Sequence, residues 1–235
     1  MKKSVIRVLA GVCIGMAIIT ALIWLLGKAL GSSLKPVSYA GHTISAWEQQ
    51  LHGPDASVSN AAFGVIHDQV IPKLVDTMLH DTNDSSLRLW LIKRLNGLPG
   101  VRIIYFEALQ RRAEAAGCLG ELGPAAKSAV PDLVKALKAN GLFLRGAAIL
   151  SLGKIRSEPE TVIPLLIPYL ENDNLDVQAA NALAEFGPLA KPAVPKLLPL
   201  LRAKDDDDRA AARAALLKID PDAAAKAGVK MKTGR

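Results

Sequence analysis

Two sets of apolar residues recur along this chain with one period, and a repeat of that kind restricts the fold more than any other feature. The first set surrounds a Val-Pro or Ile-Pro pair: Ile71, Leu74, Val75, Met78; Val130, Leu133, Val134, Leu137; Ile163, Leu166, Ile167, Leu170; Val194, Leu197, Leu198, Leu201. Each copy has the i, i+3, i+4, i+7 spacing of one helix stripe. The second residue is proline every time: Pro72, Pro131, Pro164, Pro195. Proline suits the first turn of a helix, where its missing N–H would have had no partner. Each copy therefore opens a helix, called A below. A second stripe, Ala115, Cys118, Leu119, Leu122, returns as Ala148, Ser151, Leu152, Ile155, then Ala179, Ala182, Leu183, Phe186, then Ala212, Ala215, Leu216, Ile219. The steps are 33, 31 and 33 residues, and the later A helices step by 33 and 31. These are the B helices. Their second stripe position is always small (Cys118, Ser151, Ala182, Ala215), which marks it as the place where neighbouring backbones approach closely.

Each unit thus reads as two antiparallel helices joined by short turns. Gly123-Pro124 and Gly187-Pro188 end B helices in the manner favoured just past a C-terminus. The A-to-B loops are polar: Lys138–Gly141, Glu171–Asn174 and Lys204–Asp208. One hairpin cannot bury its own stripe, so the units must stack. The residues are 50% apolar but only 4% aromatic, a composition that suits close helix packing and opposes a β-rich fold. The expected fold class is all-α: an α-solenoid, or α-α superhelix, of stacked antiparallel helix pairs, with an N-terminal transmembrane helix.

The stretch Ala115–Pro131 and its echo at Ala182–Pro195 resemble the HEAT-repeat superfamily, an armadillo-like helical class, and in particular its short Ala-rich, phycobilisome-lyase-like repeats. The resemblance covers residues 112–228 well and 43–111 weakly. The family pattern often places Arg at the start of the second helix. Arg112, Arg145 and Arg209 match, whereas Asp176 departs from it. Trp47 following Ser45, with Ile71-Pro72 beyond, is similar to the front end of membrane-anchored bacterial HEAT repeat domain-containing proteins. The resemblance implies a protein-binding solenoid whose B helices line the binding face. It implies, as an alternative, an enzymatic or chaperone-like role resembling the bilin lyases of the same repeat family.

Ahead of the repeats, residues 1–7 form a basic N-terminus and residues 8–27 carry no charge. A 20-residue helix spans ~30 Å, the thickness of a bilayer's hydrocarbon core. Trp24 stands near its far end, where an interfacial aromatic is favoured. The segment is longer than the apolar core of a cleavable signal. Cleavage would have to use the weaker site Ala29-Leu30-Gly31, and Val12 before Cys13 disfavours lipoprotein-type processing. A buried soluble helix is the remaining reading. Lys2, Lys3 and Arg7 place the N-terminus in the cytoplasm by the positive-inside rule, against Lys28 and Lys35 on the other flank. The expectation is a single-pass protein of the bacterial inner membrane, its C-terminal domain periplasmic or otherwise extracytoplasmic. Residues 28–40 read as a linker, 41–111 as an irregular helical start to the solenoid, 112–228 as regular repeats and 229–235 as a basic tail. Within 41–111, Ser45 and Glu48 match a capping box for a helix near 45–52. A helix near 85–95 around Trp90 and a long helix from about 101 into the first B helix complete that part.

The net charge of +7 sits at the ends. Lys2, Lys3, Arg7, Lys28 and Lys35 stand in an acid-free 1–40, and Lys226, Lys230, Lys232 and Arg235 in an acid-free 226–235, which leaves residues 41–225 at −2. A nucleic-acid binder carries its excess on the folded domain, so no nucleic acid is expected. No catalytic, metal or cofactor residues emerge. His42, His52, His67 and His80 show no helical pairing; His67-Asp68 and His80-Asp81 read as helix-end and loop residues and Cys118 as a packing residue. The run Asp205–Asp208 could attract a cation but reads first as a helix cap, since acids favour a helix N-terminus. The function expected is therefore a non-catalytic, membrane-tethered scaffold for a protein partner. Glu121, Lys154, Glu185 and Lys218, on the exposed side of the B helices, are the candidate partner-binding residues.

Overall fold

Apolar stripes with little aromatic bulk fold here into short helices stacked in order. The computed structural model describes residues 38–39, 42–51, 53, 56–82, 90, 92–94 and 107–229. The chain divides into two compact units, residues 1–37 with 85–106 and residues 38–84 with 107–235; the repeats belong to the second. The expected anchor at 8–27 and its basic flank lie outside the described residues. So do His52, Cys13 and most of the expected helix at 85–95, of which Trp90 and residues 92–94 are helical. Among the described residues no helix is long and apolar enough to cross a membrane.

In chain order the elements are a two-residue pairing of β1 (Ser38–Tyr39) with β2 (His42–Thr43), then α1 (Ile44–Leu51), α2 (Ala56–Val65), α3 (Ile71–His80) and α4 (Ala108–Glu121). There follow α5 (Val130–Ala136), α6 (Leu142–Ile155), α7 (Pro159–Leu166), α8 (Asp176–Glu185), α9 (Val194–Leu200), α10 (Asp206–Ile219) and α11 (Pro221–Lys226). Helices α3, α5, α7 and α9 are the expected A helices; α4, α6, α8 and α10 are the B helices. The small β1–β2 pairing aside, the described part is helical, an α-solenoid of stacked helix pairs.

The stripes face inward as expected. Leu119, Leu152, Leu183 and Leu216 are each 0% exposed, as are Leu74, Leu133, Leu166 and Leu197 on the A helices. Burying a leucine fully is worth roughly 1.5–3 kcal/mol, so these rows hold the stack together. The third member of each A stripe (Val75, Val134, Ile167, Leu198) is only half-buried in all four copies.

Several boundaries differ from the sequence reading. The first helix begins at Ile44, and Thr43 rather than Ser45 caps it: Thr43 Oγ1 accepts from Ala46 N at 3.2 Å. Residues 101–106 of the helix expected from about 101 lie outside the described residues; α4 itself starts at Ala108, where Glu107 is extended and forms a capping box with Gln110. Pro72 does not open a helix from a loop. A π-helical segment, Ile66–Val70, joins α2 to α3, and the wider turn accommodates a proline that would otherwise clash with the preceding turn. Pro164 lies inside α7, which opens instead at Pro159. The other two A helices are preceded by 3₁₀ turns, Gly123–Ala129 and Gly187–Ala193, and there Pro131 and Pro195 do open α5 and α9.

The B-to-A turns explain the difference. Gly123 and Gly187 both have φ +55, the left-handed conformation that glycine adopts without steric cost. At the equivalent place after α6 stands Arg156, with φ 52, followed by Glu158 with φ 53. That turn reverses the chain through two side-chain-bearing residues in a region costing roughly 1–2 kcal/mol each. It therefore enters its A helix at a different point.

Candidate partner-binding surface

The first three B helices meet through small residues. A Cβ added to Gly120 would lie 2.9 Å from the Ser151 backbone, and one added to Gly153 would lie 2.6 Å from Ala182 Cα. Ser151 and Ala182 are two of the small stripe residues, so their expected close approach is present, and its other half is a glycine on the preceding helix. The contact also carries a polar tie: the buried Ser151 hydroxyl donates to Ala116 O at 2.7 Å. On the A side, Tyr169 Oη donates to Leu137 O at 3.1 Å.

The four candidate residues stand at the C-terminal ends of the B helices, one per repeat. They do not stand alone. Lys154 Nζ lies 2.5 Å from Glu121 Oε1, and Lys218 Nζ lies 3.0 Å from Glu185 Oε1. The structure thus joins them as two inter-repeat rungs, α4 to α6 and α8 to α10, with side chains 38–58% exposed. Exposed pairs of this kind contribute ~0–1 kcal/mol. They fix register between repeats more than they add stability, and they leave this edge close to neutral.

The opposite ends of the B helices carry the arginines. Arg112 Nε donates to Met78 O at 2.7 Å, returning to the end of α3. Arg209 donates to Ala203 O and Lys204 O, both at 2.7 Å, and pairs with Asp206. Arg145 Nε is buried and has no acceptor among the described residues. Arg111 pairs with Asp81 at 2.7 Å. The departure at Asp176 is real: this residue is buried at the start of α8. With Asp173, Asp205, Asp207 and Asp208 it lines an open groove of about 540 Å³ between α8 and α10. The sequence reading did not find this groove. Its signal was present, because Asp173 and Asp176 stand one period ahead of the Asp205–Asp208 run. Asp205 does cap α10, its Oδ1 accepting from Asp207 N at 2.7 Å.

The remaining candidates make local contacts. His42 packs edge-on against the buried Trp47, with ring centroids 4.8 Å apart. His67 contacts Asp68 at 2.9 Å, and His80 contacts Asp76, not its neighbour Asp81, at 3.1 Å. Burial, followed by the charges of Glu114 and Glu121, pushes the Cys118 thiol up to about 11, so it is protonated at neutral pH. Among the described residues no three His, Cys, Asp or Glu side chains come together as a metal site.

Residues 109–180 match the family of HEAT repeats. No curated protein matches the chain. Among solved structures, the complex of CpcE and CpcF of phycocyanin lyase from Nostoc sp. PCC7120 is similar at 20% identity and a TM-score of 0.49, over 80% of this chain and 70% of that one. An engineered protein is similar at 19% identity and a TM-score of 0.40, over 79% of this chain and 85% of that one. Paired helices recur every 31–33 residues, and over residues 109–180 the chain matches HEAT repeats.

Proposed function

We propose that this chain is a membrane-tethered scaffold that holds a partner protein on the exposed surface of its B helices and performs no chemistry of its own. The observation that carries this reading is the way the B helices are joined. Glycine-to-small contacts and Glu–Lys rungs at equivalent positions make consecutive helices one continuous surface, which is how solenoids bind. The tether rests on the uncharged residues 8–27, and the extracytoplasmic placement of the repeats on Lys2, Lys3 and Arg7. Capture of the tagged protein from cross-linked native membranes, followed by mass spectrometry, is expected to recover a specific protein partner. A C-terminal reporter fusion is expected to be active only outside the cytoplasm. Recovery of a chemically modified substrate protein in place of a stable complex would favour the lyase-type alternative.

A further inference from the structure

The bases of this chain are unevenly placed within the folded repeats as well as at its ends. Residues 187–204, the last A segment, carry Lys191, Lys196, Arg202 and Lys204 and no acid. The chain later returns to the same place. Val229 N donates to Ala224 O at 2.9 Å, and Val229 lines a cleft with Leu201, the neighbour of Arg202, and with Arg213 of α10. Residues 230–235, with Lys230, Lys232 and Arg235 and again no acid, continue from that point. Lys191 and Lys196 are met by Asp220 and Glu171. Arg202, Lys204 and Arg213 are exposed and make no ion pair among the described residues. The acids that follow Lys204 are engaged elsewhere: Asp205, Asp207 and Asp208 face the groove towards α8, and Asp206 pairs with Arg209. Two residues before Lys191, Leu189 stands 63% exposed.

We propose that this end of the last repeat docks on the anionic surface of the bilayer, with Leu189 entering the interface and Arg202, Lys204, Arg213 and the tail bases meeting lipid headgroups. The inference rests on the tether reading and adds which part of the repeats faces the lipid. Bases near an anionic membrane surface each add to the attraction, and clusters of roughly four to eight hold a protein there. An exposed leucine among lysines suits the boundary between headgroups and acyl chains, because long basic side chains keep their charges in the headgroups while their stems stay in apolar surroundings. A nucleic acid fits less well: residues 187–204 and 221–235 hold no Phe, Tyr or Trp on which a base could stack. Residues 28–37 span at most ~36 Å when fully extended, so the tether keeps the repeats near the bilayer. The B helices form the other layer and stay open to the protein partner.

The full-length protein, reconstituted in vesicles of phosphatidylcholine alone or mixed with phosphatidylglycerol, tests this. A fluorescent amino acid is placed at Leu189 or, on the B side, at Asn181, both exposed, and the lipids carry a quencher in the upper acyl chain. Quenching at Leu189 is expected with phosphatidylglycerol and should fall with added salt. None is expected in phosphatidylcholine alone, or at Asn181 in either lipid. Arg202→Glu with Lys204→Glu should shift the docking equilibrium more than about tenfold and return Leu189 to its level in phosphatidylcholine. Lys230→Glu with Lys232→Glu leaves every residue of the last repeat in place and should weaken the quenching likewise, which keeps the test open should the first pair not fold. Equal quenching in both lipids, equal quenching at Leu189 and Asn181, or quenching unchanged by both pairs overturns the proposal. So does a labelled single-stranded RNA that binds through these bases while Leu189 stays unquenched. If Leu189 is unquenched in protein that resists carbonate extraction, the docking falls and the tether reading stands. If carbonate releases the protein, the tether reading falls and the docking with it.

Discussion

Replacing Gly153 by alanine adds one methyl group, and the structure states where it must go. The new Cβ would sit 2.6 Å from Ala182 Cα, 2.8 Å from its Cβ and 2.9 Å from its carbonyl oxygen. Two of those atoms are backbone, so no side-chain rotation relieves the clash. Helices α6 and α8 would have to separate by roughly 1 Å to restore ordinary contact, loosening Leu152 and Leu183, which have no solvent exposure. Overpacking of a dense core costs ~1–3 kcal/mol, and a backbone obstacle belongs at the upper end. Against this, alanine in a helix gains up to ~1 kcal/mol over glycine. The expected net loss is ~2 kcal/mol. Gly117→Ala is the matched control. It lies in the neighbouring B helix with nothing within 4 Å of the added Cβ, so only the propensity gain remains and the variant should be more stable than wild type. Urea unfolding followed by circular dichroism reads both midpoints. If Gly153→Ala is as stable as Gly117→Ala, the close approach of α6 to α8 is wrong, and the stacking register with it.

Other consequences are equally direct. Leu183→Ala should cost ~2–5 kcal/mol by leaving a cavity, whereas Glu185→Ala, which loses an exposed rung to Lys218, should cost under ~1 kcal/mol; equal losses in thermal melts would contradict the helix phase. Arg156→Gly should stabilise the protein by ~0.5–1 kcal/mol, since φ 52 suits glycine, and a lowered melting midpoint would refute the strained turn. In a Cys13→Ser background, Cys118 should react slowly with thiol reagents at neutral pH. Its thiolate is the reactive form, so the rate should rise about tenfold per pH unit towards about 11; a plateau near pH 8 would show the thiol is not held protonated.

How much of this was legible in the sequence follows from which interactions leave a periodic trace. Apolar stripes do, so the B helices, the burial of Leu183 and the close approach at Ser151 and Ala182 could be read from spacing alone. Glycine leaves none. Gly120 and Gly153 lie outside the stripes and take their meaning from the helix opposite, so only the folded stack identifies them. Glu121, Lys154, Glu185 and Lys218 were legible as exposed positions one period apart. That they pair with each other required the distance between neighbouring helices. The A-helix entries at Pro72 and Pro164 differ from expectation because proline's first-turn preference is not by itself a start signal: a π segment and a left-handed Arg156 allow other solutions. The acidic groove was missed because Asp176 was read as a departure within its own repeat and not against Asp208 in the next.

The exposed B-helix surface, and not the A side, is expected to hold the protein partner. Photo-cross-linkable residues placed at Asn181 and Ala214 on the B helices, and at Pro131 and Lys196 on the A side, test it in native membranes. All four positions are exposed, so reach does not bias the comparison. The expected result is one discrete cross-linked protein from Asn181 and Ala214 and none from Pro131 and Lys196. Cross-links confined to the A side, or no protein cross-link from any of the four, would contradict it.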